Sequence, residues 1–196
     1  MTTISDILFV ISNGLLIPVI LLLLLLLMKA AVTLAGLYGR YRCHRLITKS
    51  LIPILHDYSP EKMPDLYDGL AAYGGSIFSK TLKNIMDHSR DKAYCDHELA
   101  NYQVEVQRIL SKDRMLVKFG PMFGLMGTLI PMGPALVGLG TGDLTAMAYN
   151  MQVAFATTVV GMVIAAIGLL SLQINQRFYA KSLNDLEYLY RKMTEE

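Results

Sequence analysis

Gly124-Leu125-Met126-Gly127-Thr128-Leu129 and Ala156-Thr157-Thr158-Val159-Val160-Gly161 are the two stretches that decide how this chain is read. Each lies inside a long uncharged run. Each puts glycines and threonine hydroxyls where a lipid-facing helix carries leucine. A hydroxyl at membrane depth faces something other than lipid in most helices, because hydrocarbon offers it no partner.

The runs around these motifs set the fold class. Phe119–Leu139 and Met147–Ile174 carry no charge, and neither does Gly14–Met28, which holds the leucine run Leu21–Leu27. With the first run extended to Ile7–Met28 or Leu15–Leu37, all three reach the ~20 residues a helix needs to cross ~30 Å of hydrocarbon. The composition agrees: 196 residues, 53% hydrophobic and 17% charged, too apolar for an ordinary soluble domain. The expectation is an all-α membrane protein with three transmembrane helices and a helical cytoplasmic region. The first run has no basic segment before it and no small-residue cleavage site close behind it, so it reads as a retained anchor rather than a signal peptide.

Charge placement gives the topology. Of 18 Lys and Arg, all but Lys29 and the four that follow the third span (Arg177, Lys181, Arg191, Lys192) lie between Arg40 and Lys118. The N-terminal segment and the turn between spans two and three have none. The positive-inside rule then puts the N-terminus outside and both the middle region and the C-terminus in the cytoplasm. Lys29 reads as an interfacial anchor. The expected order is an outer segment and first span over 1–39, a cytoplasmic region over 40–117, and a second span over 118–140. An outer turn over 141–146, a third span over 147–174 and a cytoplasmic helix over 175–196 complete it.

Within the cytoplasmic region, Pro53, Ser59, Pro60 and Pro64 break the chain. Helical stretches follow near Leu66–His88 and Asp91–Leu116. The second carries Leu99, Tyr102, Val106, Ile109, Leu110 and Leu116 on one stripe and runs on into span two. Phe178, Leu183, Leu186, Leu189 and Tyr190 give the C-terminal helix a stripe of its own. Span two is dense in Gly and Pro (Gly120, Pro121, Gly124, Gly127, Pro131, Gly133, Pro134, Gly138, Gly140). Such a helix belongs inside a bundle, where neighbours satisfy the freed carbonyls. In span three, Ala154, Thr158, Gly161, Ala165 and Gly168 recur on one face, with Val159, Val160, Met162, Ile164, Ile167 and Leu169 on the remaining surface. A small stripe of this kind lets another helix approach closely.

Several function classes lack their residues. No Gly-rich loop precedes a Lys-Ser/Thr pair, and Ser, Cys and His form no nucleophile motif, so no enzyme is expected. Cys95-x-His97, with His88 nearby, is half of a metal-site pattern, and tetrahedral sites need four ligands; no metal or other cofactor is expected. Cys43 and Cys95 fall on the cytoplasmic side and read as reduced thiols. The basic residues after Tyr38 suit lipid headgroups rather than nucleic acid; His44 and His56 read as surface residues.

The threonines remain. Thr128 lies about eleven residues before the outer turn and Thr158 about eleven after Met147, which puts both near mid-membrane at 1.5 Å per residue. A hydroxyl can hold a water chain or a dehydrated cation, but it does not bind and release a proton near neutral pH. Between Gly14 and Ile174 every Asp and Glu reads as cytoplasmic except Asp143 in the outer turn. An ion-carrying carboxylate would therefore arrive on another polypeptide.

At these residues the sequence resembles the MotA/TolQ/ExbB family of ion-driven channels. Phe123-Gly-Leu-Met-Gly-Thr-Leu129 is similar to the family's glycine-threonine motif in its second helix, and Ala154-Phe-Ala-Thr-Thr-Val-Val-Gly161 to its third-helix motif. The specific resemblance covers roughly 112–175. It implies an all-α subunit, five copies of which surround a dimer of single-span MotB/TolR/ExbD-like partners in the inner membrane. The partner's transmembrane Asp would carry the proton or sodium ion, and the flow would drive mechanical work. It also implies that Thr128 and Thr158 line the lumen, with Thr157 in the neighbouring position of MotA-like members. Ala154, Gly161, Ala165 and Gly168 would then give the central helices room. ExbB-like members carry a Glu five residues before the span-three threonine; here that place is Val153, so no carboxylate of this chain supplements the partner's. The competing reading is a non-conducting structural membrane subunit whose small stripe serves helix packing. A small transporter is a third, and the spans hold no charged or aromatic cluster for a substrate.

Overall fold

In the computed structural model of the chain, residues 2–50, 76–88 and 91–194 are described. They form four helices and no strand: α1 (Thr2–Ser50), α2 (Ile77–Asp87), α3 (Lys92–Thr141) and α4 (Leu144–Thr194). Three of them are long and apolar enough to cross a membrane. The expected break around Pro53–Pro64, the start of the stretch from Leu66, and His56 lie outside the described residues, as do the side chains of Cys43 and His44.

The chain divides into two compact units, one of residues 1–35 with 112–172 and the other of 36–111 with 173–196. In the first, α1 lies along the α3–α4 pair. Leu23, Ala30, Leu116 and Ile164 are buried together, with Leu26, Leu27, Phe123, Val160 and Ile167 packed against them. Within the leucine run only Leu23 is fully buried, while Leu21, Leu22, Leu24 and Leu25 are exposed. That is the pattern of a helix with one face on protein and the rest in hydrocarbon. Phe9 packs on α3, since a methyl at Gly133 would stand 3.2 Å from its ring. The N-terminal part of α1 therefore lies against α3.

A Schellman turn joins α3 to α4. Gly142 has φ +78°. The Asp143 N–H donates to the Gly138 carbonyl at 2.8 Å and the Gly142 N–H to that of Leu139 at 3.2 Å. The left-handed conformation suits glycine, and the two bonds satisfy carbonyls that the helix end would leave open. Asp143 then caps α4, its Oδ1 accepting from the Ala146 N–H at 2.9 Å.

In the second unit, Ser76 caps α2, accepting at 3.1 Å from the Ser79 N–H. Phe78, Leu82, Ile85 and Met86 are buried on α2 and Cys95, Leu99, Tyr102, Val106 and Leu110 on α3; α4 adds Leu186 and Leu189. The Tyr190 hydroxyl donates to the Lys92 carbonyl at 3.4 Å, which ties the far end of α4 to the start of α3. Both α3 and α4 run on without a break between the apolar and the polar segments, so the stripes read from the sequence sit on continuous helices.

Candidate functional site

The α3–α4 seam decides where every candidate residue points. Gly120 and Gly124 of α3 stand against Gly161 of α4. A methyl built on Gly161 would lie 2.6 Å from the Gly120 carbonyl oxygen and 2.9 Å from the Gly124 Cα. One on Gly127 would lie 2.6 Å from both Cβ and Oγ1 of Thr157, and one on Gly168 would lie 2.8 Å from the Leu116 Cβ. The backbones touch wherever glycines meet, the close approach that small residues permit between membrane helices.

The buried row of α4 is Ala154, Thr157, Gly161, Ile164, Gly168 and Ser171. This row shares Ala154, Gly161 and Gly168 with the small-residue stripe of the sequence, whose other members, Thr158 and Ala165, are half-buried beside it. Ile164 is fully buried in the three-helix core rather than on the outer surface. Ala154, Gly161 and Gly168 pack within their own chain. Gly161 and Gly168 make their close contacts with α3. Ala165 is half-buried and offers its backbone N 3.0 Å from the place a Gly120 methyl would occupy.

The threonines separate on the same ground. Thr157 is 8% exposed, seated against Gly127, with its hydroxyl donating to the Ala154 carbonyl at 2.8 Å. Thr158 and Thr128 are half-buried at the edge of the seam. Their hydroxyls also donate within their helices, Thr158 to Ala154 at 3.3 Å and Thr128 to Leu125 at 2.7 Å. An oxygen that has given its proton to the backbone keeps its lone pairs outward, where they accept from water or meet a cation. Measured from Gly142, Thr128 and Thr158 lie roughly 21 Å and 24 Å down their helices at 1.5 Å per residue. In the antiparallel register Gly124 faces Thr158 (a methyl there would lie 3.6 Å from its Cα) and Gly127 faces Thr157, so the two threonines fall within about one turn of a common depth.

Sequence reasoning missed one residue. Asp113, placed among the cytoplasmic charges, is 3% exposed and belongs to the first unit. Its Oδ2 accepts from the hydroxyl of Ser171, itself fully buried, at 3.0 Å. By the same rise it lies roughly 43 Å from the Gly142 turn, at the depth of the opposite headgroup region. Its burial was legible only as a position on the α3 stripe, between Leu110 and Leu116. Around it Lys112, Arg114 and Lys118 are exposed. Lys29 is exposed too.

Cys95 and His97 do not converge. The Cys95 thiol is buried and points at the carbonyls of His88, at 3.4 Å, and Ile85, at 3.9 Å, whereas His97 is exposed. Burial first, then the charges of Asp91, Asp96 and Glu98, push the thiol above its ordinary pKa. Among the described residues no three His, Cys, Asp or Glu side chains group to hold a metal ion.

Three long apolar helices, a glycine-lined seam and two uncharged hydroxyls within about one turn of a common depth define a multi-pass helical membrane protein. Residues 72–188 match the MotA/TolQ/ExbB proton channel family, and the chain belongs to it. That family is one of channels and not of enzymes. No curated protein and no solved structure matches the chain.

Proposed function

We propose that this protein is the channel subunit of a stator-type complex. In this reading it assembles as a homopentamer in the inner membrane, N-terminus outside, around a dimer of single-span partners. A partner Asp carries a proton or sodium ion past Thr128 and Thr158, and the flow is coupled to mechanical work. Membership of the family supports the reading. The observation that carries it is the pair of half-buried hydroxyls within about one turn of a common depth, with no carboxylate of this chain beside them in the spans. Thr157 stays in the seam and serves packing, as do Ala154, Gly161 and Gly168.

The experiment is ion flux into liposomes, with and without a single-span partner bearing a membrane Asp. Thr158→Val keeps the volume and removes the oxygen. It should abolish partner-dependent flux while the assembled complex is recovered in normal yield; undiminished flux overturns the lumen role. The second reading, a non-conducting structural subunit, draws on one observation: each hydroxyl already has a backbone acceptor, as threonines serving only their own helix do. It requires that no partner produce flux in the unaltered protein.

A further inference from the structure

The small residues of α4 leave its rotation undetermined. Ala154, Gly161 and Gly168 belong equally to two rows, 154-157-161-164-168-171 and 154-158-161-165-168-172. The rows differ by a rotation of ~50°, half the 100° between neighbours on a helix. The second row is smaller at one position (Ala165 against Ile164), equal at one (Thr158 against Thr157) and larger at one (Leu172 against Ser171). The packing of small residues alone therefore does not choose between them. The structure adopts the first. What the first row has and the second lacks is a polar residue at its inner end, Ser171 against Leu172.

We infer that Asp113 and Ser171 are positioning residues: their buried hydrogen bond selects the rotation of α4 that holds Thr157 in the seam and turns Thr158 out to its edge. A buried carboxylate is costly without hydrogen bonds. The Ser171 hydroxyl reaches Asp113 Oδ2 at 3.0 Å from the opposite helix. Gly168, one turn before it, lets α4 come within 3.2 Å of the Asp113 carbonyl oxygen, measured from a methyl built there. Rotating α4 into the other row would withdraw that hydroxyl and present the Leu172 side chain to a carboxylate. Thirteen residues separate Ser171 from Thr158, roughly 20 Å of helix. A rigid helix transmits the choice made at the inner membrane edge to mid-depth.

The inference rests on Thr158 being the path-lining threonine, and its test is read without ion flux so that the two can fail separately. Thr157→Cys and Thr158→Cys are made in the full chain, reconstituted in liposomes. N-ethylmaleimide adds to the thiolate, which forms only where water reaches, so it reports which position meets the hydrated face; labelling of the unaltered chain is subtracted. The cysteine at 158 should react at least about fivefold faster than that at 157, since access limits a buried thiol. Exchanging the pair, Ser171→Leu with Leu172→Ser, should reverse the order. Asp113→Asn, which keeps an acceptor, should preserve it, and Asp113→Leu should bring the two rates together. Should the Asp113→Leu chain fail to assemble, the Ser171/Leu172 exchange and Asp113→Asn decide alone. An unchanged order in the exchanged chain overturns the inference. If the order reverses as expected while Thr158→Val conducts normally, the function proposed above fails and the positioning role stands.

Discussion

Replacing Gly161 by alanine tests the seam on which every placement above depends. The added methyl would meet the Gly120 carbonyl oxygen at 2.6 Å, the Gly124 Cα at 2.9 Å and the Gly124 N at 3.2 Å. All three are backbone atoms, so no rotamer change relieves them. The helices must part by roughly 0.5–1 Å, and a gap of that size forfeits about a quarter to a half of each dispersion contact along the seam. Overpacking of this kind costs about 1–3 kcal/mol. The control is Gly140→Ala on the same helix pair, where a methyl meets nothing within 4 Å; there alanine should gain about 0.5–1 kcal/mol from helix propensity. Gly161→Ala gains the same propensity term, so the two variants should differ by the overpacking cost of about 1–3 kcal/mol, or about 2–12 °C in melting temperature for a chain of this size. Thermal loss of helical circular dichroism in detergent, scored against aggregation by size exclusion, measures it. Equal melting of Gly161→Ala and Gly140→Ala refutes the seam, and with it the assignment of Thr157 to the interior.

Other expectations are more local. Gly142→Ala forces a Cβ onto φ +78° and should destabilise the outer turn by about 1 kcal/mol, read as a melting shift of a few degrees with unchanged helix content. Thr157→Val preserves the volume seated against Gly127 and removes only a hydroxyl that bonds its own helix; partner-dependent flux should survive it, and loss equal to that of Thr158→Val would return Thr157 to the path. Cys95 holds its proton to higher pH than a free thiol, so iodoacetamide at mildly alkaline pH should label it slowly until the chain unfolds, with mass spectrometry locating the adduct. The sign of the linked stability follows: as pH rises through the ordinary thiol range only the unfolded chain ionises, so the contribution of Cys95 is full below that range and lost above it. Cys95→Ala should flatten that part of a melting-versus-pH profile.

Much of the fold was legible because it is written in local terms. Three apolar runs of spanning length, a basic segment between the first two, and stripes on α3 and α4 need only helix geometry and the cost of burying charge. The stripe residues Leu99, Tyr102, Val106, Leu110 and Leu116 are all buried, with Ile109 at the rim. The glycine-threonine motifs were enough to identify the family, because close approach and mid-depth hydroxyls demand those residue types.

The sequence by itself thus determined that α3 and α4 would meet through small residues. It did not determine which side of α4 faces α3. Ala154, Gly161 and Gly168 fit two rotations, and periodicity cannot choose between rows that share half their members. The adopted rotation puts Ser171 against Asp113, 58 residues away in the chain, and Ile164 into the core beside α1. Only the tertiary structure decides this, since a hydrogen bond between helices and a three-helix core exist nowhere in the local pattern of either helix.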